Sequence, residues 1–458
     1  VIDPATTTQL RQLYQNLVDQ PLWPDDPRYV DLYADPGWAA LDPVARLATR
    51  IRFSAIESSQ LFSGHRGTGK STQLRKLQRE LEGDPTYKVV ICDMEDYLPM
   101  TDAVDEVDFM LGAAGALSDA LVDAGLLGRD SKGDYWTRFV DWLRGQRIDV
   151  EQLGLDAKVP VGPGAELRFN VKANLKSDAA FRERVRERMK LHVGAFRAEV
   201  HGFAQDCVKW LRAEHGDDTQ LVVIYDSIEH LRGITTNERA VAESVEGLFR
   251  GHGDALRFPH VHTIYTVPPW LRLHYAGTDG FDSYCQIPCI KVRKRAPDPG
   301  GQVQPDPAGL DVLWRVAGKR GDMQWLLRDR AAFDELALAC GGYLRDLFRM
   351  LTDLTAHAAL HGVPVAGDRC RLAIEELRSA YQGFTNRQAV WLQAIEDSGR
   401  LDIPDLDDQH TIARFLDTHV LLAYRNGEDW YAVHPVIREL VADRAAAWHR
   451  AQRGQAER

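Results

Sequence analysis

Hydrophobic positions fall into two regimes along the chain. The first is a set of short runs with apolar centres, of the kind that become strands covered on both faces. They are Gln60–Ser63, Lys88–Cys92, Leu221–Tyr225, His262–Thr266 and Gln286–Val292. The second is helical spacing in the segments between them. Thr8–Asp19 and Gln73–Leu81 read as helices, as do Val104–Leu126 and Tyr135–Leu143. Asp42-Pro43 reads as an N-cap and first helical position, with Val44, Leu47 and Ile51 on the buried face. Ser177–Leu211 carries Phe181, Val185, Met189, Phe196, Val200, Phe203 and Cys207 at helical spacing, which predicts one long helix. Alternation over Asp156–Val161 and Ala165–Lys172, about Gly162-Pro163-Gly164, predicts a hairpin. Strands alternating with helices predict an α/β fold on a parallel sheet, with an insertion at about 100–215.

The C-terminal part follows different rules. Ala296–Pro307 is loop by composition, and a helical segment runs from there to about Ala380. Helices at Arg387–Ile395 and Gln409–Leu416 then precede an apolar strand, Val420–Tyr424. Asn426-Gly427 predicts a two-residue hairpin turn back into Trp430–Val433, and Pro435 opens a last helix. Helices followed by a hairpin and a helix look like a winged helix. The expected division is a helix and Pro-rich arm at 1–45, a core at 46–295, a helical lid at 308–380 and a winged helix at 385–450. There are no internal repeats.

Composition narrows the class. The 458 residues are 44% hydrophobic and 27% charged, as in a soluble globular protein. No apolar stretch approaches the roughly 20 residues that span a bilayer. The N-terminal Val1-Ile2-Asp3-Pro4 lacks a signal pattern, so a cytoplasmic location is expected, with no membrane partner. The net charge of −11 makes broad adhesion to nucleic acid an unfavoured default. Cys92, Cys207, Cys285, Cys289, Cys340 and Cys370 read as reduced core thiols, with Cys285 and Cys289 on one face of a strand. Arg182, Arg184, Arg186, Arg188 and Lys190 interleave with Glu183 and Glu187, the pattern of a solvated, salt-bridged face. Lys291, Arg293, Lys294 and Arg295 are read as solvated too.

The chemistry is carried by Gly64-His65-Arg66-Gly67-Thr68-Gly69-Lys70-Ser71-Thr72. Its spacing is G-x-x-x-x-G-K-S between an apolar run and a helix. Glycines let the backbone wrap an oxyanion, so that successive N–H groups and a helix N-terminus point at phosphates. Lys70 can reach the β- and γ-phosphates, and the Ser71 hydroxyl can ligate Mg²⁺. Leu221–Tyr225 runs into Asp226, a carboxylate at a strand end suited to holding Mg²⁺. Glu229, three residues on, can orient or deprotonate an attacking water. Thr266 ends its strand as a polar residue able to meet the γ-phosphate or that water.

This order of motifs resembles the additional-strand catalytic-glutamate class of P-loop ATPases. Within it the chain is similar to AAA+ proteins, particularly the STAND signalling ATPases and the origin-recognition branch. Asp226-Ser227-Ile228-Glu229 departs from the adjacent Asp-Glu pair of most AAA+ enzymes and looks like the D-x-x-D/E pattern of STAND proteins. Gly341-Gly342-Tyr343-Leu344-Arg345 resembles the second sensor of origin-recognition lids, which implies that Arg345 contacts the nucleotide. Leu344, Leu347, Leu351 and Leu354 form the buried stripe of that helix. Val433-His434-Pro435 is similar in position to the Met-His-Asp signature of STAND winged helices, which implies that His434 senses ADP phosphates. The resemblance implies ATP or ADP and Mg²⁺ as ligands and slow ATP hydrolysis. It also implies a homo-oligomer with a separate effector or sensor protein, as in prokaryotic defence. The alternative is a DNA-handling ATPase of origin-recognition or transposition-regulator type. Arg250, Arg257 and Arg272 are the candidates for an arginine acting across subunits.

Overall fold

The computed structural model describes residues 3–127, 135–146, 172–234, 236–273, 280–295, 304–401 and 406–456. The chain divides into two compact units. One comprises Pro43–Ser63 and Lys76–Gln286, and the other Val1–Asp42, Gly64–Arg75 and Ile287–Arg458. The first unit is organised around five strands: β1 Ser58–Gly64, β2 Tyr87–Asp93, β3 Gln220–Asp226, β4 Val261–Val267 and β5 Ser283–Ile287. Their order is β2-β3-β4-β1-β5. The pairs β2–β3, β3–β4 and β4–β1 are parallel. β4 therefore lies between the strand that enters the glycine-rich loop and the strand that ends in Asp226, which is the additional-strand arrangement the sequence predicts. Every residue of β1 and β4 is buried, polar ones included, and these pair across the strands: Ser58 Oγ lies 2.9 Å from His262 Nδ1, and Thr263 Oγ1 donates to Ser59 Oγ at 2.9 Å. Tyr225 and Tyr265 stack across neighbouring strands at 5.1 Å in the centre of the core.

Three expectations in this unit are corrected. The fifth strand ends at Ile287 rather than running on to Val292. Pro288 follows at once and has no N–H to give a ladder, so Cys289 lies beyond the strand and does not share a face with Cys285. The long helix is two, Ala179–Met189 and Val193–His215, separated at 190–192. All seven of its predicted apolar positions are nevertheless buried. The arginine face is not uniformly solvated either. Arg182 is buried, donating to the Leu175 carbonyl at 3.1 Å and to Asp102 Oδ2 at 2.5 Å. Arg186 is bonded to Asp108 across to the helix Glu106–Asp123, and burial still pushes the Asp108 carboxyl up to about 6. These arginines hold the inserted helices together, so charge alternation in sequence misstated their surroundings. The hairpin expected about Gly162-Pro163-Gly164 lies outside the described residues.

The second unit is mainly helical. Asp3 caps the helix Pro4–Asn16 by accepting the Ala5 and Thr6 N–H groups, so the helix starts four residues earlier than its apolar spacing indicates. Helices Pro307–Gly318, Met323–Leu327, Arg330–Ala339, Leu344–His361 and Gly367–Ser379 follow the loop after β5. Asn386–Ser398 and Leu406–Asp417 then lead to the antiparallel strands β6 Leu421–Asn426 and β7 Glu428–Val433, with a short turn and Arg438–Ala456 closing the chain. The hairpin register pairs Arg425 with Asp429 and centres on Gly427, not on a two-residue Asn-Gly turn. Gly427 supplies the positive φ, 83°, that a longer loop of this kind takes up. Arg293, read as solvated, is buried against Glu396 and also donates to the Val433 carbonyl at 3.2 Å. All six cysteines are buried and unpaired, and burial pushes the Cys340 thiol up to about 12. No described helix is long and apolar enough to cross a membrane.

Candidate functional site: a phosphate loop tied to the C-terminal module

The loop begins where β1 ends, and the helix Lys70–Glu82 opens immediately after it. The first N–H groups of any helix lack an intrahelical acceptor, so Lys70, Ser71 and Thr72 present a helix N-terminus to whatever the loop enfolds. Gly67 and Gly69 have φ of +80° and +92°, and a Cβ built on Gly69 would meet nothing within 4 Å. At Gly67 a Cβ would fall 2.7 Å from Arg345 Nε, so only glycine fits there. Lys70 is buried and donates to the Gly64 and His65 carbonyls at 2.9 and 3.0 Å. An ammonium folded onto loop carbonyls, an open backbone cradle and a helix N-terminus together suit a polyphosphate. Thr68 Oγ1 closes the loop on itself by donating to the His65 carbonyl at 2.8 Å. Thr72 Oγ1 accepts the Leu22 N–H at 3.1 Å, so its hydroxyl is joined to the N-terminal arm.

The two side chains between the first glycines have assignments that spacing could not give. His65 is fully buried. Its Nε2 accepts the Ala423 N–H at 3.0 Å, so the proton is on Nδ1, which donates to the Leu416 carbonyl at 3.0 Å. Leu416 is the penultimate residue of the helix before the hairpin, and Ala423 lies in β6. Burial lowers the His65 pKa to about 4, which keeps the ring neutral. The Arg66 carbonyl accepts the Tyr343 hydroxyl at 2.5 Å. With its proton committed, the Tyr343 hydroxyl oxygen accepts from His419 Nε2 at 3.1 Å, and the His419 ring stacks on Tyr343 at 4.5 Å. Burial drives the His419 pKa well below its ordinary value.

Arg345 lies against the loop. It lies in the first turn of Leu344–His361 over Gly67, and its Nε donates to Asp19 Oδ2. Gly342, two residues before that helix, has φ of 77°, and a Cβ there would overlap the Ile290 carbonyl oxygen at 1.7 Å. The Gly-Gly pair is thus a backbone crossing, sealed by the Ile290 N–H donating to the Gly342 carbonyl at 3.2 Å. Beside the loop is a recess walled by Tyr29, Leu32, Val316, Arg320 and Phe348. The Arg320 guanidinium stacks over the Phe348 ring at 4.2 Å, and burial lowers its pKa to about 10, so it stays cationic at neutral pH.

His434 is not brought to the loop. Its ring is fully buried, stacked on Tyr381 at 4.3 Å with Nε2 3.2 Å from Asp346 Oδ2. The imidazoles next to the phosphate loop are those of His65 and His419. His65 was legible as a loop residue, whereas His419 carried no sequence signal.

In the sheet unit, β3 delivers Asp226 and the turn Ile228–His230 delivers Glu229, both buried. Ser227 between them is left-handed at φ 69°, a strained conformation for serine, and its N–H donates to Asp226 Oδ1 at 2.8 Å. Thr266 is fully buried and braces this turn. Its Oγ1 accepts the Ile228 N–H at 3.1 Å and approaches the Tyr225 carbonyl at 3.4 Å. Arg250 is paired with Glu246, and Arg257 with Glu57 and Asp282, while Arg272 lies over the Tyr284 ring.

No family model matches the chain, and no curated protein matches it. Among solved structures it is similar to the Aeropyrum pernix ORC2 protein in ADPNP–ADP complexes, at 12% identity over 93% of this chain and 99% of that one, TM-score 0.40. The ADP form of the same protein is 11% identical over 95% and 98% of the two chains, TM-score 0.43. Cdc6p from Pyrobaculum aerophilum is 11% identical over 97% and 98%, TM-score 0.39.

Proposed function

We propose that this chain is an ATP-binding and slowly hydrolysing switch, in which the nucleotide state of the phosphate loop sets the arrangement of the lid and winged helix. The observation that carries the reading is the His65 bridge. A side chain of the loop itself bonds the backbone of the C-terminal module at Leu416 and Ala423. Any reshaping of the loop around phosphate would act on these two bonds, and each buried bond broken without replacement costs on the order of 1–3 kcal/mol. Binding energy is thereby converted into a change of domain contacts.

The roles follow the donor sets. Loop N–H groups and Lys70 hold the β- and γ-phosphates, and the recess of Tyr29, Leu32, Val316 and Phe348 receives the nucleoside. Arg345 exchanges Asp19 for a phosphate oxygen, and Glu229 orients the lytic water while Thr266 keeps its turn in shape. Mg²⁺, for which Ser71 and Asp226 are the proposed ligands, would neutralise charge on the phosphates. The output is assembly with a second copy or with a protein effector. A DNA-handling ATPase is the second reading, and one experiment separates the two. Particle size is measured with ATP, ADP and no nucleotide, using Glu229→Gln protein, then repeated with duplex DNA over a salt series. The switch predicts ATP-dependent assembly without DNA. Assembly only with DNA, falling steeply with salt, replaces it with the second reading.

A further inference from the structure

Glu229 has a neighbour that the reading above does not use. His230 follows it in the same turn, with Nε2 3.9 Å from Glu229 Oε1. On the other side of the ring, Nδ1 is hydrogen-bonded to Glu95 Oε1. Glu95 lies in the turn Met94–Asp96 directly after β2. Asp93, the last residue of β2, fixes that turn by accepting the Glu95 N–H at 3.0 Å. Asp93 and Asp226 are paired in register on β2 and β3, so the two turns leave neighbouring strands at one level of the sheet. Exposure rises along the row: the side chains of Glu229, His230 and Glu95 are 4%, 24% and 42% exposed.

We propose that Glu95 and His230 form a positioning pair that fixes the Glu229 carboxylate for ATP hydrolysis. The proposal rests on the reading of Glu229 as the water-orienting group. A carboxylate bonded to Nδ1 places the ring proton there and sets the ring plane, as outer acids do for imidazoles in catalytic relays. Nε2 then faces Glu229 Oε1 at 3.9 Å, and the two form a hydrogen bond only in the doubly protonated ring, which then bridges the two carboxylates. A link serving stability alone would need only Glu95 and His230. The third member is a buried carboxylate at the C-terminal edge of the central strands, where this fold does its chemistry.

The test uses the full chain with Mg²⁺ and measures phosphate release and ATP affinity separately. His230→Ala is expected to lower kcat by roughly ten- to a hundredfold with ATP affinity changed less than about twofold. Added imidazole should restore part of that kcat, and Glu95→Gln should lower kcat by a smaller factor. A purely structural role would lower the thermal midpoint and leave no rescue by imidazole. Unchanged kcat in His230→Ala, or loss without rescue, overturns the proposal. If His230→Ala does not fold, His230→Asn is assayed in its place, and full activity there overturns it equally. Glu229→Gln marks the difference from the underlying reading. Undiminished turnover in that variant, or none in the wild type, removes both, whereas an inactive Glu229→Gln beside a fully active His230→Ala removes only the positioning pair.

Discussion

Replacing His65 by glutamine should abolish one identifiable share of the pH dependence of stability. The neutral ring is required by its bond to Ala423, since Nε2 accepts that N–H and a protonated ring has nothing to accept with, while the donation to Leu416 suits either form. Its pKa falls from an unfolded value of 6.5 to about 4 in the fold, because burial opposes the charge. A folded pKa below the unfolded one gives stability that is present above pH 6.5 and lost as the pH falls toward 4. Between about pH 7.5 and about pH 5 the linkage amounts to ~2 kcal/mol, rising to ~3 kcal/mol below about pH 4. The ring is fully buried, so solvent screening does not discount this. The assay is urea unfolding of wild type and His65→Gln at both pH values, followed by tryptophan fluorescence. The variant starts lower at neutral pH, having lost two buried bonds, and the gap should narrow by about 2 kcal/mol on acidification. His262, also lowered to about 4 by burial, titrates in both proteins and cancels. A gap that stays constant between the two pH values refutes the assignment of a buried neutral His65.

Lys70→Ala should abolish thermal stabilisation by ATP and Mg²⁺, because a phosphate-paired ammonium is worth several kcal/mol, and stabilisation of wild-type size would contradict the loop assignment. Gly67→Ala should bind ATP at least about tenfold more weakly, since its Cβ would strike Arg345 in a left-handed backbone; isothermal titration showing full affinity would contradict the packing. Asp19→Asn should bind ATP roughly two- to fivefold more tightly, the range of an exposed ion pair, because it frees Arg345 from a competing carboxylate; weaker binding would contradict that exchange.

The fold was legible where one local signal decides the outcome. Short runs with apolar centres named β1 to β4, and the glycine-rich spacing named the loop. The helices and hairpin beyond Arg387 followed from periodicity and turn residues, whereas the five helices between Pro307 and Ser379 read only as one helical segment. Pro288 ended β5 early because a missing N–H outweighs an apolar run. The break at 190–192 left helical spacing intact on both sides, so periodicity alone could not see it. Surroundings were less legible than elements. Arg182 and Arg293 look like surface residues in sequence, yet each is buried against acids far away along the chain. The histidines illustrate the same limit. His434 sits at the position that family likeness favours, but it packs on Tyr381, whereas His65 and the unheralded His419 reach the loop. Such partners are set by tertiary packing, which a single sequence does not encode in any local pattern.

The most direct test of the coupling between loop and C-terminal module is amide hydrogen exchange over residues 416–424 in the full chain, with and without ATP and Mg²⁺. This stretch holds Leu416 and Ala423, the two backbone partners of His65, and His419, which bonds Tyr343. The account predicts that saturating ATP changes exchange there, and that Lys70→Ala shows no change under the same conditions. Bound ATP with exchange at 416–424 identical to the free protein would contradict it.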